Sequence, residues 1–340
     1  MKAQITFGSG CAISNTMLYV PSFLDELDES LEHTRMFVLN LETSPYWFHH
    51  EIREKTVVST CFRPESAEFK RACYSLTNRG VVEIFNSDET IENHIFKTKA
   101  DTIKSGDLTN IKFIGQHAYA CGSGNQVYKN LPQGWSLISS AIKAQATQKL
   151  SEAVSNISKA TNSLTVKNAD LISATKKLRE YTILNCIDGL TENSIYTCGT
   201  NGKIWHWDGS NWQDIKSGTK QHLHHIHCTS DDTVLMCGHN GTILTGNYKS
   251  GFRRLPIEKT QIHFWSIKSF RESIYLGSNR GLFTITNNQI TPCMISPDIP
   301  SFFSVQSIDV RDNTLWVVAD KFILRYHSNS WDIIEHPDNI

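Results

Sequence analysis

The sequence has almost no net charge. Its 33 Lys and Arg face 34 Asp and Glu across 340 residues, which argues against a surface built generally for nucleic acid. Long apolar runs are also missing. No stretch approaches the roughly 18 consecutive apolar residues of a spanning helix. Behind Met1-Lys2-Ala3-Gln4 there is no apolar core of roughly 7–15 residues to mark a signal peptide. Catalytic signatures fail as well: the chain has neither a Gly-x-Ser-x-Gly elbow nor a His-Glu-x-x-His helix. Gly199-Thr200-Asn201-Gly202-Lys203 lacks the spacing of a phosphate loop and joins two expected strands. The sequons at Asn156 and Asn240 are idle without secretion. These gaps predict a cytoplasmic, non-enzymatic chain that needs no cofactor, nucleic acid or membrane.

Nine cysteines are present, an odd number without a secretory signal, which predicts reduced thiols and no disulfide framework. Three of them, Cys121, Cys198 and Cys237, each precede a glycine. Cys198 and Cys237 are 39 residues apart, and Leu276 before Gly277 lies 39 further on. A position shared by Cys and Leu is an apolar packing site, since a free thiol packs as a small hydrophobe. No metal is expected there.

A period near 40 residues marks a repeat architecture. Each unit holds four short runs rich in β-branched and aromatic residues, parted by Asn/Gly turns. Thr200-Asn201-Gly202, His239-Asn240-Gly241 and Ser278-Asn279-Arg280-Gly281 supply the positive φ that tight hairpins need. Seven such units are expected, with innermost strands near 3–8, 57–61, 111–114, 183–187, 223–228, 264–269 and 305–310. Closed radially, they form a β-propeller, which leaves only short, protected edges. The fold class is therefore all-β, a seven-bladed propeller of four-stranded blades spanning 1–340 as one domain. Trp135, Trp212, Phe252 and Trp331 are expected to wedge neighbouring blades together.

His206-Trp207-Asp208-Gly209-Ser210-Asn211-Trp212, followed by Lys216-Ser217-Gly218-Thr219, resembles the bacterial WD40/YVTN/BNR-like repeat propellers. The resemblance covers most of the chain and implies architecture; it does not imply an activity, because such folds host many functions. Trp207-Asp208 has no Gly-His partner before it, and the Ser-x-Asp-x-Gly-x-x-Trp box of sialidase-like repeats is absent.

Two segments break the period. Residues 141–180 contain no Gly, Pro or aromatic residue, and Ile142, Ala146, Leu150, Ala153, Ile157 and Ala160 recur at helical steps. This predicts a helical insertion between blades three and four, with a second helix carrying Leu171, Ala174 and Leu178. Seven Lys and Arg against three Asp and Glu give it a charge of +4. The second segment, 25–33, holds five acids and no Lys or Arg. Both connection types fall on one face of a propeller, and loops on a rigid scaffold concentrate binding. The candidate partner-binding residues are therefore Asp25, Glu26, Asp28, Glu29 and Glu32 with Lys143, Lys149, Lys159, Lys167, Lys176 and Lys177. A plain surface insertion is the competing reading, since long loops cost little.

The run His222-Leu223-His224-His225-Ile226-His227-Cys228 suggests a metal, but on a strand only two histidines share each side. Zinc needs three or four ligands, so packed channel histidines are expected. The functional expectation is a monomeric protein-binding propeller, either an immunity-like protein that neutralises a secreted bacterial toxin or an adaptor. The alternative is a glycan-binding lectin or propeller enzyme using the mouth of the central channel.

Overall fold

The structure is a computed structural model that describes residues 4–28, 31–142, 182–258 and 260–340. Seven antiparallel sheets follow one another, each with its strands in chain order from the axis outward. The innermost strands are Val57–Arg63, Leu108–Ile114, Leu184–Thr191, Leu223–Ser230, Phe264–Phe270 and Val305–Arg311 in blades 2 to 7. Blade 1 differs from the uninterrupted strand expected over 3–8. Its inner edge is two pieces, Ile5–Phe7 and Cys11–Ala12, both paired with Met17–Leu24. The other inner strands slip register after their first residue, as between Leu223 and His225, so Gly8-Ser9-Gly10 widens a bulge that recurs around the ring.

The hairpin turns form as their chemistry requires. Asn201 and Asn240 sit at φ 57° and 51°, and the following Gly202 and Gly241 at 69° and 60°, the paired left-handed geometry of a tight turn.

Buried apolar residues gather between blades. Leu76, Val82 and Ile84 of blade 2 pack with Leu108 and Ile111 of blade 3, and Trp135 closes that cluster. Trp212 lies at the junction of blades 3 and 4, Phe252 at 4 and 5, and Trp331 at 6 and 7. Each outer-strand aromatic faces the preceding blade, and Trp212 Nε1 donates to the Ile138 carbonyl there at 3.1 Å.

The repeat alignment needs one correction. Cys121, Cys198 and Cys237 pair with Asn110, Cys186 and His225 and face the next blade. In blade 6 the residue in that place is Gly277, opposite Ser266, while Leu276 pairs with Ile267. Leu276 packs back onto blade 5 with Leu235 and Cys237. A one-residue slip moves a strand residue to the other face. Glycine is required because a Cβ there would lie 2.6 Å from Val305 Cγ1 of blade 7.

The ring closes without exchanging a strand: all of blade 1 comes from the N-terminal part and all of blade 7 from the C-terminal part. The seam is instead stitched by hydrogen bonds. Phe7 N–H donates to the Asp320 carbonyl at 2.8 Å, Trp316 Nε1 to the Ser14 carbonyl at 3.0 Å, and Arg325 Nε to the Asn15 carbonyl at 2.7 Å. Past the last strand, Asn339 accepts from Ile5 N–H at 3.0 Å and donates to the Lys321 carbonyl at 2.8 Å.

Candidate functional site

The innermost strand of each blade has one unpaired edge, and buried N–H groups must find acceptors. Side chains of the preceding blade provide them. Ser59 Oγ accepts from Ile111 N–H at 3.2 Å, Asn110 Oδ1 from Ile187 N–H at 3.0 Å, and Cys186 Sγ from Ile226 N–H at 3.4 Å. His225 Nδ1 accepts from Ile267 N–H at 3.4 Å, Ser266 Oγ from Ile308 N–H at 3.1 Å, and Ser307 Oγ from Gly10 N–H at 3.0 Å. One position in each of blades 2 to 7 thus forms a polar belt around the axis. Two residues on, Asp188 Oδ2 accepts from Cys228 N–H and Asp309 Oδ2 from Ala12 N–H, both at 3.0 Å.

These strands surround a central channel of about 710 Å³. Its fixed charges are Lys112, Asp188, Lys268, Asp309 and Arg311. Lys112 Nζ lies 4.0 Å from Asp188, and Lys268 Nζ 3.5 Å from Asp309. Burial would raise the Asp309 carboxyl, but Lys268 and Lys112 together outweigh it and hold it at about 2. Burial, then Lys268, pushes both His225 and His227 down to about 3. His225 keeps an edge toward the channel, yet protein surrounds both rings closely enough to keep them neutral at pH 7. His227 Nε2 also bonds Ser269 Oγ at 3.0 Å. The histidine run is thus part of the blade-to-blade stitching, and among the described residues no three His, Cys, Asp or Glu are placed to hold a metal ion. The eight other cysteines that accompany Cys293 are buried, and none is in a disulfide.

The channel lining runs from the starts of the inner strands, at Asn185, His224 and Trp265, to their far ends at Gly115, Leu190 and Arg311. Four histidines and Trp265 cluster at blades 5 and 6, and of these His224 and Trp265 line the channel. The His239 ring lies 5.1 Å from His222, 4.6 Å from His224 and 4.3 Å from His263, and His224 lies 4.5 Å from Trp265. Burial lowers His224 to about 4.

The acidic segment joins Met17–Leu24 to His33–Asn40 on the face that carries the connections between blades. Its acids do not act as one patch, because other blades supply the cations that the segment itself lacks. Asp25 binds Lys321 of blade 7 and accepts from Thr6 Oγ1 at 2.7 Å, which places it in the ring seam. Glu32 pairs with Arg79 of blade 2 at 2.7 Å. Glu26 and Asp28 are exposed beside Leu27 and Leu31. Glu29 lies outside the described residues, as do Lys143, Lys149, Lys159, Lys167, Lys176, Lys177 and nearly all of the predicted helical insertion. Sequence reasoning missed Met294 and Phe302, 89% and 74% exposed on the connection from blade 6 to blade 7 of this face. Their only signal was large apolar residues between strands. Phe303 beside them packs on Phe322, ring centroids 5.2 Å apart.

No protein-family model matches the chain. It is similar to the immune protein Tsi7 of Pseudomonas aeruginosa, 25% identical over 231 residues that cover 68% of this chain. The chain spans about 65% of the length of that curated relative. Among solved structures it resembles the WD40 propeller domain of Doa1, with a TM-score of 0.58 at 11% identity over 96% of this chain and 93% of that one. It also resembles YCF48 bound to D1 peptide, with a TM-score of 0.61 at 10% identity over 96% and 94% of the two chains. These likenesses establish a WD40-like seven-bladed propeller fold and nothing further. Among the described residues no helix is long and apolar enough to cross a membrane.

Proposed function

We propose that this chain is a protein-binding propeller of the immunity type, which holds a toxic protein on its connection face and blocks it. The observation that carries this reading is the similarity over 231 residues to a protein named an immune protein. The chain's own surface supports it. Exposed Leu27, Leu31, Met294 and Phe302 lie on one face, and large apolar side chains left in water favour a docking site. Glu26 and Asp28 beside them favour a partner with basic residues at the rim of the contact. The free cysteines fit action in a reducing cytosol, and the 206–212 motif fits bacterial YVTN/BNR-like repeats.

The test is capture followed by rescue. The chain is used to retrieve its partner from native cells, and the partner is then expressed in a surrogate bacterium with and without it. Growth should stop without the chain and resume with it. Glu26→Lys, Leu31→Asp, Met294→Asp and Phe302→Asp together should abolish rescue while melting stays near wild type. A captured protein that is harmless would sink the immunity reading. Rescue that survives all four changes would move the contact off this face.

A further inference from the structure

The channel holds cations whose hydrogen-bonding capacity the protein leaves open. An ammonium carries three N–H donors, yet among the described residues neither Lys112 nor Lys268 makes a hydrogen bond; each only faces a carboxylate, at 4.0 Å and 3.5 Å. The Lys268 side chain is 8% exposed, so bulk water does not simply solvate it. Arg311 lies over the Phe62 ring at 5.0 Å, and its buried Nε has no partner. Buried donors such as Lys268 Nζ and Arg311 Nε are costly unless something accepts from them, whereas the Lys112 side chain is 35% exposed and open to the channel.

The two carboxylates do not meet that demand. Asp188 and Asp309 each commit one oxygen to a backbone N–H of the following blade, which is a structural duty at the open strand edge. With His225 and His227 neutral, the lining carries three cations, Lys112, Lys268 and Arg311, against two carboxylates. The residual charge is positive. Lys112 and Lys268 come from blades 3 and 6 and line the same cavity. A cavity of about 710 Å³ lies within the roughly 300–1,000 Å³ of small-molecule sites.

We propose that the channel binds a small oxyanion, a carboxylate or phosphate, whose oxygens accept from Lys112 and Lys268, with Arg311 completing the positive lining. This site is separate from the partner surface of the connection face and does not depend on it. Citrate and inorganic phosphate are the two probes, titrated calorimetrically into the full chain at pH 7. A sodium chloride titration at matched ionic strength serves as control. Either probe should give saturable one-to-one binding. Binding of citrate alone marks an organic polycarboxylate; binding of phosphate alone marks a phosphate ligand. Lys112→Met should weaken binding by about tenfold or more, the loss expected for a charge-assisted hydrogen bond. Lys268→Met combined with Asp309→Asn removes one pair without leaving a lone buried charge, and should weaken binding likewise. Arg311→Gln provides a third variant should either of these fail to fold. The proposal is overturned if neither probe binds beyond the chloride control, meaning that water alone fills the channel. It is equally overturned if affinity is unchanged in the folded variants.

Discussion

Replacing Trp316, on the second strand of blade 7, with alanine should destabilise the protein more than truncating any of the outer-strand aromatics. Trp316 is fully buried in the cluster that joins blade 7 to Ile5, Phe7, Leu18 and Val20 of blade 1. A buried tryptophan removes about 200 Å² from water, which at about 25 cal/mol per Å² is about 5 kcal/mol. That value agrees with the about 3–5 kcal/mol typical of Trp→Ala in cores. Losing the Nε1 bond to the Ser14 carbonyl adds about 1 kcal/mol. Relaxation of Arg325, whose guanidinium lies 5.8 Å from the ring, recovers part of this, so the expected cost is about 4–5 kcal/mol. Because no strand is exchanged at the seam, no covalent link limits the damage. The assay is guanidinium unfolding followed by circular dichroism, with Trp331→Ala as comparison. Trp331 is only half-buried and its ring lies tilted against Tyr326 with centroids 4.8 Å apart, so its loss should cost about 2 kcal/mol. A Trp316→Ala cost below about 1 kcal/mol, or one no larger than for Trp331→Ala, would refute the argument that the seam depends on this ring.

Acid should unfold the protein through its histidines. His225 and His227 sit at about 3, and His206 and His224 at about 4. All are below the usual 6.5, so their stabilising contribution is complete above about pH 6.5 and is lost as pH falls toward 3–4. His206→Phe, which keeps the ring that stacks on Tyr248 at 4.0 Å, should move the acid midpoint downward; an unmoved midpoint in a pH titration of ellipticity would contradict this. Glu192 binds Lys129 at 2.6 Å, His117 at 2.7 Å and Gln116 N–H at 2.9 Å. Burial alone would raise its carboxyl, but these partners hold it at about 2. Its contribution is therefore full above about pH 4.5 and fades as pH falls through 2, and Glu192→Gln should cost about 1–3 kcal/mol at pH 7. Equal stability of Glu192→Gln and wild type in urea would argue against a role in joining blades 3 and 4. Gly277→Ala should cost about 1–3 kcal/mol by overpacking onto Val305. Adding Val305→Ala should recover part of that loss, and simple additivity of the two would show that they do not touch.

The sequence alone determined what is local and repeated. Strand composition, Asn-Gly turns and the 39-residue period are set within each blade, so blade number and strand order could be read directly. The channel could also have been read further. Ile111-Lys112, Ile187-Asp188, Ile226-His227, Ile267-Lys268 and Ile308-Asp309 place a polar or charged residue after an isoleucine in five successive inner strands, a pattern with no purpose in an ordinary apolar core. Only the tertiary structure decided who meets whom. Gly277 in place of Leu276, Asp25 bound to Lys321 nearly 300 residues away, and Glu32 bound to Arg79 all depend on how close adjoining blades come. The acids of 25–33 looked like one patch because the sequence shows only their own segment, whereas charge pairing acts through space. The histidines of 222–227 read as packed channel residues in the sequence. Only the open edge of the next inner strand shows why one of them, His225, is needed: it accepts from Ile267 N–H. Periodicity encodes the blade, while the interfaces between blades are set by side-chain volume and unpaired backbone groups that no single repeat contains.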